Sequence, residues 1–152
     1  MERIKTVTVN RRARRDYDVV EKFEAGIVLR GSEVKSIRLG KVDLKDSFAR
    51  VREGELFLYN MHIPPYTHAD ARYIDPERER KLLMTKREIN YLVGKTREKG
   101  LTLIPLKVYI KGRYVKVELG LSRGKSRYDR REDYKAREAK RDIERAMKKR
   151  FK

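Results

Sequence analysis

Gly120 stands near the end of a strand-like run, YVKVELGL (114–121), and Gly124, Lys125 and Ser126 follow shortly after it. Glycines followed by Gly-Lys-Ser at a strand end are the ingredients of a phosphate-binding loop. There, backbone N–H groups wrap a phosphate and the lysine meets its charge. Such a loop needs four residues between its glycines. Here there are three, and Leu119 occupies the place of the first glycine. The segment that follows is mostly charge rather than a helix that packs on a parallel sheet. No strand-ending Asp for a magnesium ion stands out later in the chain. A nucleotide-using enzyme is therefore disfavoured. Ser32 and Lys35 match S-x-x-K, but acyl-transfer enzymes with that pair need further motifs and a larger fold. A serine near a helix N-terminus accounts for them. His62 and His68 flank Pro64-Pro65 with no cysteine and no carboxylate spaced to complete a metal or general-base site. The sequence offers no catalytic residue, no metal site and no cofactor.

Cationic side chains carry the stronger signal. The 152 residues hold 41 Lys and Arg against 23 Asp and Glu, a net charge of +18. Charge of that sign bears on partners rather than fold. Nucleic acid is the commonest polyanion for a small basic protein, ahead of an anionic membrane. Three patches stand out: NRRARR (10–15), the series Lys107, Tyr109, Lys111, Tyr114 and Lys116, and the run after Ser122. Lysines interleaved with rings on a sheet suit RNA, because cations meet phosphates and rings stack on unpaired bases. Ordinary cross-strand Lys–Tyr pairs would explain that hairpin equally well by itself. Three patches in one small chain tip the reading to RNA. The charged fraction, 42%, also fits a thermophile's ion-pair surface, which explains many charges but not their positive excess. Without cysteine there is no disulfide framework. No run of 18 apolar residues spans a bilayer, and the N-terminus lacks a signal-peptide stretch, so the expected location is the cytoplasm and no membrane partner is expected.

Residues 16 to 122 read as the folded part. DSFARVREGELFLYN predicts a hairpin, with Ala49 and Val51 on one face, a turn at Glu53-Gly54, and Leu56 and Leu58 returning. LIPLKVYIKGRYVKVELGL predicts a second. Leu106, Val108 and Ile110 share a face, Lys111-Gly112 turns, and Val115, Val117, Leu119 and Leu121 share a face on return. Between them, Thr85 with Glu88 makes a capping box before the stripe Ile89, Leu92 and Val93, and Gly100 stands where a helix C′ residue belongs. SEVKSIR is a shorter helix with Val34 and Ile37 inward, and DYDVVEKFEAGIVL supplies a further strand. The expected fold is mainly β: an OB-type antiparallel β-barrel with about three helices. It divides into a barrel over 1–122 and a basic C-terminal tail over 123–152. The run from Ser122 to the C-terminus has 14 basic and 6 acidic residues and too few apolar ones to order itself. Ala136, Ala139, Ile143, Ala146 and Met147 nevertheless recur at helical spacing, and Glu144 precedes Lys148 by four. The tail is either disordered when free and helical on a partner, or a permanently exposed helix. The glycines of the opening loop read as the hinge between barrel and tail.

Several ordered motifs together resemble the small protein B (SsrA-binding) family. They are NRRARRDY (10–17), EAGIVLRGSEVKSIRLGKVDLKDSF (24–48), HIPPY (62–66), RERKLLMTKREI (78–89), TLIPLKVYIKGRYVKVELGLSRGK (102–125) and YDRR (128–131). The resemblance runs from about Asn10 to the C-terminus. It implies an OB-type barrel with helices and a tail that is disordered when free. The implied activity is binding, not catalysis. The family grips the tRNA-like domain of tmRNA at its elbow and brings it, with elongation factor Tu, to ribosomes stalled without a usable codon. The body stands where an anticodon arm would be, and the tail enters the vacant mRNA channel of the small subunit near the decoding site. Carried over by motif, the tmRNA-binding residues are Asn10, Arg11, Arg12, Glu24, Leu83 and Lys116. The ribosome-binding residues are Gly124, Lys125, Tyr128, Asp129, Arg130, Arg131 and Met147. The protein is expected to be a monomer when free. Departures from the family pattern are Ser126 in place of a second lysine, Arg15 in place of a common histidine, and Phe48 in place of a common tyrosine. A generic ribosome-associated RNA-binding protein on the same barrel is the alternative.

Overall fold

The computed structural model describes residues 3–66, 74–98 and 100–124, with Lys140, Arg141, Ile143 and Arg145 beyond them. In chain order the elements are β1 (Ile4–Val9), α1 (Arg11–Asp16), β2 (Tyr17–Ile27), α2 (Gly31–Arg38), β3 (Phe48–Arg52), β4 (Glu55–Tyr59), β5 (Arg80–Leu83), α3 (Lys86–Thr96), β6 (Leu101–Lys111) and β7 (Tyr114–Gly124). Strands β6, β3, β4, β5, β2 and β7 pair antiparallel in that order, and the β6–β7 pairing closes the ring. Strand β1 lies along β6. Closure is partial, because β3 meets β6 only at Ala49 and Leu103 and β5 meets β2 only through Gly26 and Ile27. No described helix is long and apolar enough to cross a membrane.

The barrel forms where polarity alternates with period two. Ala25, Leu56, Leu58, Leu82, Leu103, Val108, Val117, Leu119 and Leu121 all point inward and are buried. Ile37 of α2 and Ile89 and Leu92 of α3 join the same core. Each fully buried leucine contributes roughly 1.5–3 kcal/mol, so this interior is the main source of stability. Helix α3 starts as expected. The Thr85 hydroxyl oxygen accepts from the Glu88 N–H at 3.2 Å, and the Glu88 carboxylate reaches back to Thr85. The first hairpin also forms as expected, with Glu53 and Gly54 both at positive φ in its turn.

Several expectations are corrected. The folded part starts before residue 16, since β1 pairs with β6 and NRRARR winds into α1. Strand β7 runs to Gly124 rather than stopping at 122. Strand β5 was not anticipated. Helix α3 ends at Thr96, so Gly100 (φ +87°) serves the turn into β6 instead of the helix C′ position. The second turn falls on Gly112 and Arg113, one residue later than expected.

Leu106 and Val108 do not share a face. A bulge between Pro105 and Lys107 reverses the alternation, and proline is at home there because it has no N–H to give a ladder. Leu106 therefore joins Ile104 and Ala13 in a second apolar cluster on the outside of the barrel, beneath α1. Gly120 is no hinge either. It lies within β7 between the inward Leu119 and Leu121, and a Cβ there would stand 2.8 Å from Leu106 Cδ1. A glycine is needed because Leu106 fills the space. Of the tail, Lys140, Arg141, Ile143 and Arg145 are helical and exposed. Lys125, Tyr128, Asp129, Arg130, Arg131, Ala136, Ala139, Ala146 and Met147 lie outside the described residues.

Candidate nucleic-acid interface

Strand register brings together residues far apart in sequence. One row crosses the barrel surface as Leu83 on β5, Gly26 on β2, Lys116 on β7 and Tyr109 on β6. The next row runs Glu24 on β2, Glu118 on β7, Lys107 on β6 and Val9 on β1. Ala25, Val117 and Val108 point into the core, so their neighbours in these rows point out. Val9 then leads directly into Asn10, Arg11 and Arg12. The two halves of the expected tmRNA-binding set thus adjoin on one outer surface.

Glu24 is the centre of the first half. One carboxylate oxygen accepts from the Tyr109 hydroxyl, and the other faces Lys111 Nζ at 3.5 Å. The Tyr109 hydrogen bond, aided by the charges of Lys111 and Lys116, holds the Glu24 carboxyl below its ordinary value against a smaller desolvation effect. Burial first, and then the bond to Glu24, push the Tyr109 hydroxyl well above its ordinary value. Glu24 is therefore an ionised acceptor and Tyr109 a fixed donor at neutral pH. Tyr109 is buried, with Lys107 Nζ 5.4 Å from its ring centroid. The expected alternation of rings and lysines holds, but this ring is not available for stacking. Tyr114 is: it is 59% exposed, with Arg113 and Lys116 each 5.9 Å from its centroid. Leu83 is half exposed beside Gly26.

In the second half, Asn10 is buried and its side chain is committed to the fold. Its Oδ1 accepts from the Ala13 N–H at 3.1 Å, capping α1, and its Nδ2 donates to the Pro105 carbonyl at 2.9 Å. Its backbone N–H donates to Leu106. This residue aims the exposed Arg11 and Arg12. Arg12 stands between Asp46 (3.3 Å) and Asp16 (3.9 Å). An open groove beside it is lined by Arg11, Arg12, Arg15 and Lys45. Gly124 pairs with Tyr17 at the exposed end of β7.

Sequence reasoning missed the groups that hold β5 in place. Glu33 and Arg80 are buried, and Arg80 Nε donates to Glu33 Oε2 at 2.7 Å. Arg80 also donates to the carbonyls of Met61 and Pro76, and Arg78 Nε lies 3.1 Å from the same carboxylate. Burial would raise the Glu33 carboxyl, but hydrogen bonds from Arg78, the Arg30 backbone and Arg80 outweigh it and hold it low. With Arg80 and Leu82 facing in, Leu83 must face out. RERKLL looks like surface charge because a buried arginine breaks the polarity pattern that marks a strand. Gly26 was also missed, although a glycine inside a strand is itself a sign of close approach.

The family model described as SmpB protein matches residues 7–149. An SsrA-binding protein of Carboxydothermus hydrogenoformans is 59% identical over 147 residues, covering 97% of this chain and 99% of that protein. One from Geobacillus thermodenitrificans is 56% identical over 148 residues, covering 97% and 96%. A chain of the solved structure described as "tmRNA-SmpB: a journey to the center of the bacterial ribosome" is similar with a TM-score of 0.67 and 55% identity, over 79% of this chain and 85% of that one. On this evidence the chain belongs to the SmpB protein family.

Proposed function

We propose that this protein binds the tRNA-like domain of tmRNA and brings it to stalled ribosomes for rescue and peptide tagging. The observation that carries the reading is the joining of Glu24, Leu83 and Lys116 with Arg11 and Arg12 on one outer surface, in a chain of this family. Lys116, Arg11 and Arg12 meet phosphates, Glu24 accepts from a base or ribose donor, and Leu83 packs on a base or sugar. Asn10 contributes by capping α1 and so aiming the arginines. The activity is binding, with no catalytic step. The barrel holds the RNA and stands in for an anticodon arm. The run that leaves β7 at Gly124 takes the vacant mRNA channel through Gly124, Lys125, Tyr128, Asp129, Arg130, Arg131 and Met147. Elongation factor Tu joins through the aminoacylated RNA, and the free protein is a monomer.

A gel shift tests the reading. The protein should bind a tmRNA tRNA-like domain well below the concentration that shifts an ordinary tRNA. Equal affinity for both supports the generic RNA-binding alternative instead. Removing residues 125–152, which leaves β7 whole, should leave this affinity largely intact while abolishing tagging.

A further inference from the structure

The row Leu83, Gly26, Lys116 has a gap at its middle. Neighbouring strands stand about 4.8 Å apart, so the Leu83 and Lys116 backbones are separated by roughly 10 Å. Gly26 contributes no side chain between them, and Leu83 leans over that position. A Cβ on Gly26 would have Leu83 atoms as its three nearest neighbours, the closest at 3.3 Å. Gly26 has no positive φ, so its backbone does not require glycine. The outward neighbours of this bare position along the chain are Glu24 within β2 and the half-exposed Val28 just past its end, whose N–H donates to the Lys81 carbonyl. The position is flanked by the apolar Leu83, a cation at Lys116 and an ionised carboxylate at Glu24.

A carboxylate on the RNA-facing side of a chain with net charge +18 repels phosphate, so it must face hydrogen-bond donors. Tyr109 and Lys111 each occupy one position on the two oxygens and fix the carboxylate's direction. A carboxylate offers about four acceptor positions, so one remains on each oxygen. Two parallel donors at that spacing are the N1–H and N2–H of an unpaired guanine. Its flat ring lies between the leaning Leu83 side chain and Lys116, where Gly26 adds no side chain. We infer that the Gly26 slot receives one unpaired guanine of the bound RNA, read on its Watson–Crick edge by Glu24. Gly26 sets the specificity by staying bare, and Tyr109 is a positioning residue. This rests on the function proposed above.

The test measures affinity for tRNA-like domains in which each unpaired guanine in turn is replaced by inosine, which lacks the N2 amine. One such RNA should bind wild-type protein about tenfold more weakly, as loss of half a two-donor contact implies. That penalty should disappear in Glu24→Gln, whose amide no longer discriminates the pair. Gly26→Val should lose about tenfold or more for the unmodified RNA while melting as a folded protein; if it does not fold, the Glu24→Gln comparison decides. Equal binding of all inosine RNAs, or an unchanged penalty in Glu24→Gln, overturns the inference. Failure of wild-type protein to prefer the tRNA-like domain over ordinary tRNA overturns the proposed function instead.

Discussion

The Tyr109 hydroxyl donates to the Glu24 carboxylate across 85 residues of sequence, reaching over β7 to do so. The bond fixes an acceptor on a surface that otherwise attracts anions. Tyr109→Phe should leave the fold intact, because the ring stays buried and only the hydroxyl is lost. Affinity for the tRNA-like domain should fall by roughly 5- to 10-fold as Glu24 becomes free to rotate, on the scale of about 1 kcal/mol for one hydrogen bond. Thermal melts and gel shifts on the same preparation check both halves.

Lys116 and Asn10 belong to the same expected set but should fail differently. Lys116→Ala should reduce the slope of log affinity against log salt by about one, the mark of one lost phosphate contact. Asn10→Ala removes a helix cap and should cost about 1 kcal/mol of stability. It removes no cation, so its salt slope should fall by less than that of Lys116→Ala where the protein is folded. A salt titration at two temperatures separates them.

Glu33 and Arg80 form a buried pair whose loss should be felt as stability. Replacing Glu33 by Gln leaves the Arg80 charge without its counterion and should cost about 3–5 kcal/mol in chemical denaturation. The Glu33 carboxyl is held below its ordinary value, so its contribution is fully present above about pH 4.3. It is lost as pH falls through the lowered folded value. Wild-type melting temperature should therefore drop below about pH 4, and that part of the drop should be absent in Glu33→Gln.

Gly120 separates a packing role from a hinge role. Gly120→Ala drives a methyl against Leu106 and should destabilise by about 1–3 kcal/mol. Shortening Leu106 in the same chain should recover part of that loss. A hinge glycine would show neither effect.

Legibility followed local periodicity. Both long hairpins and α3 were readable because alternation and the Thr85–Glu88 cap are short-range signals. The side of Leu106 was not, because one bulge at Pro105 reverses every face beyond it. Strand β5 was hidden by Arg80, whose burial depends on Glu33, 47 residues away. The site residues came from ordered motifs rather than from spacing. Their meeting on one surface is a matter of register between β5, β2, β7 and β6, and single-strand patterns do not specify register between distant strands.

The most direct measurement is a backbone amide chemical-shift map of the isotopically labelled protein, taken as unlabelled tRNA-like domain is added. The largest changes should fall on Arg11, Arg12, Glu24, Gly26, Leu83, Tyr109 and Lys116, with Arg50 and Phe57 on the β3–β4 face unmoved. Changes centred on the β3–β4 face, with Gly26, Leu83 and Lys116 unaffected, would contradict the account.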